Sequence, residues 1–442
     1  MEKEAGVKVI GGGLAGCEAA YYLASHGIGV TLVEMKPQKF TPAHSDKNLC
    51  ELVCSNSLKS NDVYGNACGL LKEEMRVFGS LVIEAADATR VPAGGALAVD
   101  RYAFSSYVTE KLHAQKNIRF VCAEQEDIPE EGFAIVATGP LTSEKFAARL
   151  AERFGGNLFF YDAAAPIVSA SSIDYEKTFT ADRYGKGEGD YVNCPMNKEE
   201  YEAFVDALTG AERAVVRDFD KRDVFDGCMP VEIMASRGKD TLRFGMLKPV
   251  GLYDADGRRP YAVLQLRKEN CEGTAYNLVG FQTNLKFPEQ KRVFSMIPAL
   301  KNAEFLRYGV MHRNTFLNAP HILSSDYSLK EDGKVFFAGQ MTGVEGYVES
   351  AASGLWAAVN CARKLFGKES LPADTRTVIG ALAAYITAPN ADFQPMNANY
   401  GVLSPLGVEI RDKALKKKRF AERSLEIMRG TFARTEEDLC GM

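Results

Sequence analysis

The sequence has 442 residues, 46% of them hydrophobic and 25% charged, which is typical of a globular chain of two or three domains. No run approaches the roughly 18 consecutive apolar residues of a membrane span, so we expect no membrane partner. The charged start predicts no secretory signal, and ten irregularly spaced cysteines indicate reduced thiols. We therefore expect a cytoplasmic protein without a disulfide framework.

Charge is distributed unevenly along the chain, whose net charge is −5. Residues 227–310 carry 13 lysines and arginines against 8 aspartates and glutamates, and a second basic cluster lies at residues 416–419. Two basic regions on an acidic body suit a polyanion held in one groove. Solvated faces of ordinary helices account for the same pattern, so charge alone leaves both interpretations open.

The first predicted unit is a strand, a glycine-rich turn, a helix and a second strand, spanning Val7 to Glu34. In a dinucleotide-binding fold the first glycine allows the tight turn, the second lets a pyrophosphate approach the backbone, and the third lets helix and strand pack. Glu34 lies 18 residues beyond the last glycine, where a carboxylate accepts the hydroxyls of an adenosine ribose. The predicted cofactor-binding residues of this unit are Gly11, Gly12, Gly13, Leu14, Ala15, Gly16 and Glu34.

The next segment, from Met35 to Ser60, predicts a long loop with a short helix. Loops that follow strands of such a sheet lie at the edge where ligands bind, so we expect this segment over the cofactor. Cys54 within it precedes Ser55-Asn56-Ser57, a sequence typical of a helix N-terminus, where thiolates are stabilised.

Two later segments repeat the strand-and-glycine pattern. Residues 133–138 predict a fully apolar strand, and residues 334–338 predict another that continues into a glycine-rich turn and a helix of small residues. A tight connection without a ligand is the alternative interpretation. The residues of these segments that we predict to contact the cofactor are Gly139, Gly339, Gln340, Gly343, Gly346 and Tyr347.

The predicted fold class is α/β, with a Rossmann-type FAD-binding domain split by an inserted mixed α/β domain. Residues 1–161 form its first part, residues 162–325 the insertion that faces substrate or RNA, and residues 326–442 the return with a helical C-terminal tail. FAD fits better than NAD because the glycine motif opens near the N-terminus and a second glycine-rich unit returns late. A nicotinamide nucleotide has no evident second fold and is expected to bind only transiently.

Four motifs resemble those of the bacterial folate- and FAD-dependent tRNA uracil-5-methyltransferases, the TrmFO family, which is related to the GidA flavoproteins. The motifs are Gly11-Gly12-Gly13-Leu14-Ala15-Gly16-Cys17-Glu18-Ala19-Ala20, Glu51-Leu52-Val53-Cys54-Ser55-Asn56-Ser57, Asp226-Gly227-Cys228-Met229-Pro230-Val231-Glu232 and Gly339-Gln340-Met341-Thr342-Gly343-Val344-Glu345-Gly346-Tyr347. The resemblance implies transfer of a methylene group from 5,10-methylenetetrahydrofolate through FAD to C5 of the T-loop uridine of tRNA. Reduction by NADPH or NADH then completes the methyl group of 5-methyluridine.

This reaction needs an activated sulfur. C5 of uracil is a poor nucleophile until a thiolate adds to C6, and a second group must then remove the C5 proton. By resemblance Cys228 is the attacking thiol and Cys54 assists at the flavin as acid or base, and the residues alone leave their ranking open. The predicted catalytic residues are thus Cys54 and Cys228. We expect no metal site, because the cysteine spacings match no ordinary ligand pairing.

Three other functions remain as alternatives. A GidA-like flavoprotein that modifies wobble uridine carries a longer C-terminal helical region than the 88 residues after Gly354. A ribosomal-RNA uridine methyltransferase would share the catalytic motifs, and a non-catalytic flavin-containing RNA-binding protein would have inert thiols. Four further cysteines are interpreted as small buried hydrophobic residues, and these are Cys17, Cys122, Cys271 and Cys361.

Overall fold

The structure, a computed structural model, describes residues 6–41, 43–155, 158–185, 187–214, 229–254, 256–390 and 393–440. Its strands are β1 (Gly6–Ile10), β2 (Gly29–Glu34), β3 (Ser57–Ser60), β4 (Arg90–Val91), β5 (Ala96–Val99), β6 (Ile118–Cys122), β7 (Phe133–Val136), β8 (Leu158–Ala163), β9 (Ile167–Ser169), β10 (Phe179–Thr180), β11 (Val192–Met196), β12 (Ala262–Lys268), β13 (Ala275–Leu278), β14 (Phe305–Arg307), β15 (Met311–Phe316) and β16 (Val335–Phe337). Its α-helices are α1 (Leu14–Ser25), α2 (Ala67–Val77), α3 (Leu81–Ala88), α4 (Arg101–His113), α5 (Glu144–Phe154), α6 (Lys198–Thr209), α7 (Val231–Ala235), α8 (Thr241–Phe244), α9 (Phe287–Phe294), α10 (Ala319–Ile322), α11 (Tyr347–Leu365), α12 (Val378–Thr387) and α13 (Lys413–Cys440).

A five-stranded parallel sheet carries the predicted dinucleotide fold. Its strand order is β16, β7, β1, β2, β6, so the late strand β16 pairs with β7 although nearly 200 residues separate them. The apolar side chains of β1 and those of Ala134, Ile135 and Val136 in β7 are buried, as expected for a parallel sheet covered on both faces. The carboxyl ends of all five strands lie at one edge, where α1 and α11 begin. The predicted α/β, Rossmann-type fold is confirmed.

The segment between the two parts of this sheet forms a six-stranded antiparallel sheet in the order β10, β11, β12, β13, β9, β14. It has its own apolar core, in which Tyr201 and Phe204 of α6 pack against Leu264 of β12 and Phe281. Strands β8 and β15 pair antiparallel. The domain boundaries at 161/162 and 325/326 stay a prediction. None of the helices in the described ranges is long and apolar enough to cross a membrane.

Helices α1 and α11 meet through very small residues. A Cβ atom added at Gly354 of α11 would overlap the backbone of Ala15 in α1. The two helices can approach this closely only because Gly354 has no side chain. This contact brings the N-terminal ends of α1 and α11, which lie more than 300 residues apart in sequence, to the same edge of the parallel sheet.

Two fully buried glutamates cap neighbouring helices. Glu18 accepts hydrogen bonds from the backbone N–H groups of Leu81 and Val82 at the start of α3. Glu74 accepts them from Val378 (2.7 Å) and Ile379 (2.9 Å) at the start of α12, and also from the Ser424 hydroxyl. Burial outweighs these bonds and raises the pKa of each carboxyl to about 7.

We expect the free energy of unfolding of the protein to fall between pH 5 and pH 8. We expect this fall to be smaller in Glu74→Gln. The raised pKa of Glu74 means that the folded state binds a proton that the unfolded chain has already released. This stabilisation is complete below the ordinary pKa of a glutamate and is lost as pH rises through about 7. The free energy of unfolding then changes by at most about 3 kcal/mol. Thermal melts across this range measure it. Substitution of the partly exposed neighbour, Glu73→Gln, should leave the slope unchanged; an unaltered slope in Glu74→Gln would contradict the prediction.

Candidate functional site

A cavity of about 840 Å³ opens at the carboxyl edge of the parallel sheet. We call it the first cavity. Its walls come from the glycine turn after β1, the loop after β2, the end of β7 and the turn after β16. The residues that line it are Gly11, Gly12, Gly13, Leu14, Ala15, Glu34, Met35, Lys36, Thr41, His44, Glu51, Val53, Ala137, Thr138, Gly139, Pro140, Leu141, Gly339, Gln340, Tyr347 and Ser350.

The glycine turn is shaped to receive a pyrophosphate. Gly11 has φ +103°, and a Cβ atom there would overlap the Ala137 carbonyl, so only glycine fits. In contrast, no atom lies within 4 Å of a Cβ built on Gly13, which faces open space. Gly13 is the N-cap of α1 and supplies no side-chain cap, and the first turn holds no acidic residue. The unpaired N–H groups and positive end of α1 thus fit an anionic group.

Glu34 is held in place at the wall of this cavity. Its carboxylate accepts a hydrogen bond from the N–H of Gly12 (2.6 Å) and another from the N–H of Lys36 (2.9 Å). The buried Lys36 ammonium donates to the carbonyl oxygens of Asp46 (3.0 Å) and Asn48 (2.6 Å). Lys36 therefore folds the loop after β2 back over the cavity.

Sequence reasoning missed the polar residues of this loop. His44 lines the cavity, shares a 2.6 Å hydrogen bond with Thr41, and has its pKa lowered by burial and by the charge of Lys36, so it is neutral at neutral pH. Glu51 pairs with Lys36 at 3.3 Å. No periodicity or short motif marks such residues, because a loop has neither; their position after the second strand of the sheet is the one available signal.

Most of the predicted cofactor residues border the first cavity, and three do not. Gly16 lies behind the turn, where a Cβ atom would overlap the Gly11 carbonyl, which matches its predicted packing role. Gly343 has φ +92° and faces the ring of Phe393. Gly346 borders a second cavity instead. The roles of these three and of the residues that border the first cavity in cofactor binding stay predictions.

This second cavity, of about 1110 Å³, adjoins the first and shares with it Val53, Pro140, Leu141, Gln340 and Tyr347. It lies where the dinucleotide fold, the antiparallel sheet region and the C-terminal segment meet. Its remaining lining residues are Cys54, Ser55, Ser57, Leu58, Lys59, Ala164, Gln282, Asn314, Glu345, Gly346, Val348, Glu349 and Asn397.

Cys54 lies in the wall of the second cavity and contacts Tyr347. The Tyr347 hydroxyl accepts hydrogen bonds from the N–H groups of Cys54 (2.8 Å) and Ser55 (3.2 Å) and donates to the Cys54 sulfur (3.1 Å). Burial raises the pKa of Tyr347 well above its ordinary value, so the hydroxyl keeps its proton. The predicted helix N-terminus after Cys54 is wrong, because Ser57–Ser60 forms β3 and pairs with β5. The Tyr347 hydroxyl therefore donates to this sulfur where a helix N-terminus was expected.

Two buried arginines hold the loop that carries Cys54. Arg267 of β12 donates to Asn56 and to Ser55, each at 2.8 Å. Arg101 of α4 donates to the Leu52 carbonyl and pairs with Glu269 at 2.9 Å. Since Arg267 and Glu269 belong to the antiparallel sheet region, that region helps to fix the loop.

Cys228, the second predicted catalytic residue, lies outside the described residues. The described chain resumes at Met229, and the N–H of Val231 donates to the Gln282 carbonyl at 2.8 Å. Gln282 lines the second cavity together with Cys54.

The four cysteines interpreted as buried divide into two pairs. Cys17 and Cys361 are fully buried, as predicted. Cys122 and Cys271 are exposed, so that interpretation is wrong for them. Cys122 is the last residue of β6, and Cys271 lies in the turn between β12 and β13.

We expect Tyr347→Phe to slow the reaction of Cys54 with iodoacetamide near neutral pH. The lost hydroxyl donates to the sulfur, and a hydrogen bond to the charged form favours the thiolate. Alkylation of the Cys54 peptide, followed by mass spectrometry, should therefore require a higher pH. Tyr201→Phe removes a buried hydroxyl bonded to the Lys239 carbonyl, away from both cavities, and serves as the control. Identical alkylation profiles for the two variants would contradict the prediction.

Comparisons with known proteins agree with this geometry. The model of a family described as glucose inhibited division protein A matches residues 6–369. The structure of Aquifex aeolicus GidA in its form II crystal superposes with a TM-score of 0.70 at 17% identity, covering 98% of this chain and 74% of that one, which shows the shared fold.

Two curated relatives are much more similar in sequence. The methylenetetrahydrofolate–tRNA-(uracil-5-)-methyltransferase TrmFO of Acetivibrio thermocellus is 57% identical over 426 residues, covering 96% of this chain and 98% of that protein. The enzyme of the same name from Geobacter sulfurreducens is 58% identical over 422 residues, covering 95% and 97%. The chain therefore belongs to the TrmFO family, within the broader group that the glucose inhibited division protein A model describes.

Proposed function

We propose that this protein methylates C5 of the T-loop uridine of tRNA with 5,10-methylenetetrahydrofolate as the carbon donor. The observation that carries the proposal is the placement of Cys54 and Tyr347 in a cavity that adjoins a dinucleotide site. Membership of the TrmFO family supplies the substrates, since the relatives are named for tRNA and methylenetetrahydrofolate.

FAD is the dinucleotide that we assign to the first cavity. The uncapped start of α1 and the open space at Gly13 fit its pyrophosphate, and Glu34 fits its ribose. Tyr347 and Gln340 line both cavities and would contact the end of the cofactor that faces the substrate. When bound, reduced FAD would carry the one-carbon group from folate towards uracil and would donate the two electrons, supplied by NADPH or NADH, that turn the methylene group into a methyl group.

The chain's own residues would activate the uracil. We assign Cys228 as the thiolate that adds to C6, which turns C5 into a nucleophile, and Cys54 as the group that moves the C5 proton. The Tyr347 hydroxyl keeps Cys54 aimed into the cavity and favours its thiolate. On either side of Cys54, Arg101 donates to the Leu52 carbonyl and Arg267 donates to the Ser55 hydroxyl.

NADPH or NADH would bind transiently and deliver the electrons, because the described chain has one dinucleotide fold, and FAD would occupy it. We place the reaction in the cytoplasm, where tRNA and folate are available. For tRNA we propose contacts from the start of α13, where Lys416 is exposed and Arg419 pairs with Glu422 at 3.0 Å. Such contacts predict binding that weakens steeply with salt.

Purified protein, unmodified tRNA, methylenetetrahydrofolate labelled in its methylene carbon and NADPH test the proposal directly. We expect the label in 5-methyluridine of tRNA and flavin bands in the visible spectrum of the protein. Separate reactions with ribosomal RNA, and with tRNA whose target uridine is replaced by cytidine, locate the product. Label that stays in folate would overturn the proposed reaction, and label in ribosomal RNA alone would overturn the proposed substrate.

A further inference from the structure

The second cavity contains polar groups that the proposed chemistry does not yet use. Asn314, Gln282 and Asn397 all line it with side-chain carboxamides. Across the described ranges, none of these three carboxamides makes a hydrogen bond to another residue. Burying an amide without a partner costs free energy, so a folded protein keeps one mainly where a ligand or water completes the bonds.

Asn314 is the most constrained of the three. It is only 3% exposed, and its backbone is fixed in β15, opposite Phe160 of β8. The buried Asn193 shows the usual arrangement: its Nδ2 donates to the carbonyls of Phe179 and Ala181, and its Oδ1 accepts from Gln265. Asn314 has the burial of a structural amide without such bonds, and it borders the cavity that contains Cys54.

We propose that Asn314 recognises the cis-lactam edge of the substrate ring that enters this cavity. A carboxamide presents one acceptor and one donor side by side. A cis-lactam presents the complementary pair, because its ring N–H donates to Oδ1 while its ring carbonyl accepts from Nδ2. This two-point match is the geometry by which asparagine reads the edge of a base. The inference rests on the proposed function, since both of its substrates, uracil and the reduced pterin of folate, carry this edge.

The test compares Asn314→Leu with Asn193→Leu in the FAD-loaded protein. Leucine keeps the number and branching of the side-chain heavy atoms and removes both polar atoms. Since Asn314 has no protein partner in the described chain, Asn314→Leu should melt within a few degrees of the wild type and keep its flavin. It should nevertheless lose on the order of 10-fold or more in kcat/KM for one substrate. Asn193→Leu breaks several internal bonds, so it should melt at a lower temperature with unchanged KM values.

Two measurements distinguish whether the bound lactam edge belongs to the pterin or to uracil. Tetrahydrofolate is titrated against the flavin absorbance without tRNA, and kcat/KM for tRNA is measured at saturating folate. A weakened folate titration assigns the edge to the pterin, and a loss confined to tRNA assigns it to uracil; either supports the proposal. The titration needs no turnover, so it tests Asn314 even if the wild type fails to methylate tRNA.

Asn314→Asp adds a signature that a structural residue would not give. Burial at this position should raise the pKa of the introduced carboxyl group. The ionised form retains the acceptor but repels the ring carbonyl, and the protonated form regains a donor. We therefore expect the defect to be larger at pH 8 than at pH 6. Unchanged affinities for both substrates, a loss of flavin from Asn314→Leu, or melting as low as that of Asn193→Leu would each overturn the proposal.

Discussion

Cys228→Ala should reduce methyl transfer to tRNA by at least on the order of 10⁴-fold, because uracil would lack the sulfur that adds to C6. Cys54→Ala should reduce it by on the order of 10²- to 10⁴-fold, the range expected for loss of an acid or base. Cys54 is half-buried, so its variant should keep the flavin and the melting temperature of the wild type. Initial rates of label transfer measure both losses.

A covalent trap shows which of the two thiols adds to C6 of uracil. With RNA that carries 5-fluorouridine at the target position, C5 cannot lose a proton, so the thiolate adduct at C6 should persist on a denaturing gel. Cys54→Ala should form this adduct and Cys228→Ala should not. Cys271→Ala removes an exposed thiol that lines neither cavity and should behave as the wild type. Adduct formation by Cys228→Ala, with none by Cys54→Ala, would reverse the assigned roles.

Alanine substitutions at two glycines of the same turn should fail in opposite ways. At Gly16 the added Cβ would overlap the Gly11 carbonyl, a backbone atom that no rotamer change can move. We expect Gly16→Ala to lose about 3 kcal/mol or more of unfolding free energy and to purify without flavin. At Gly13 the Cβ would enter the open space of the first cavity, and φ is an ordinary −79°.

Gly13→Ala should therefore fold normally yet bind FAD on the order of 10-fold or more weakly, because its methyl group occupies room for the pyrophosphate. Denaturant unfolding of the flavin-free proteins and titration with FAD separate the two effects. Gly29→Ala, which also adds a Cβ in open space but away from both cavities, is the matched control. Wild-type FAD affinity in Gly13→Ala would contradict the assignment of the first cavity.

The glycine turn and the acid at the end of β2 were predictable from the sequence because their signals are local. Position 11 requires glycine because its φ is +103°. Glu34 ends β2, and the pairing of β2 with β1 follows from the motif. The late unit around Gly339 was predictable for the same reason. The structure of the loop after β2 was not predictable. The hydrogen bonds that Lys36 makes depend on the path of the loop, and no sequence repeat marks that path.

What the sequence by itself determined is the fold class and the dinucleotide turn, whose signals come from residues close together in the chain; the role of Cys54 stays a prediction from the family resemblance. Only the tertiary structure decided what surrounds that thiol. Tyr347 lies 293 residues from Cys54, and Arg267 lies 212 residues from Ser55, so no window of sequence contains both partners. The expected helix after Cys54 failed for this reason: pairing of β3 with β5, a contact between distant segments, outweighed a local preference.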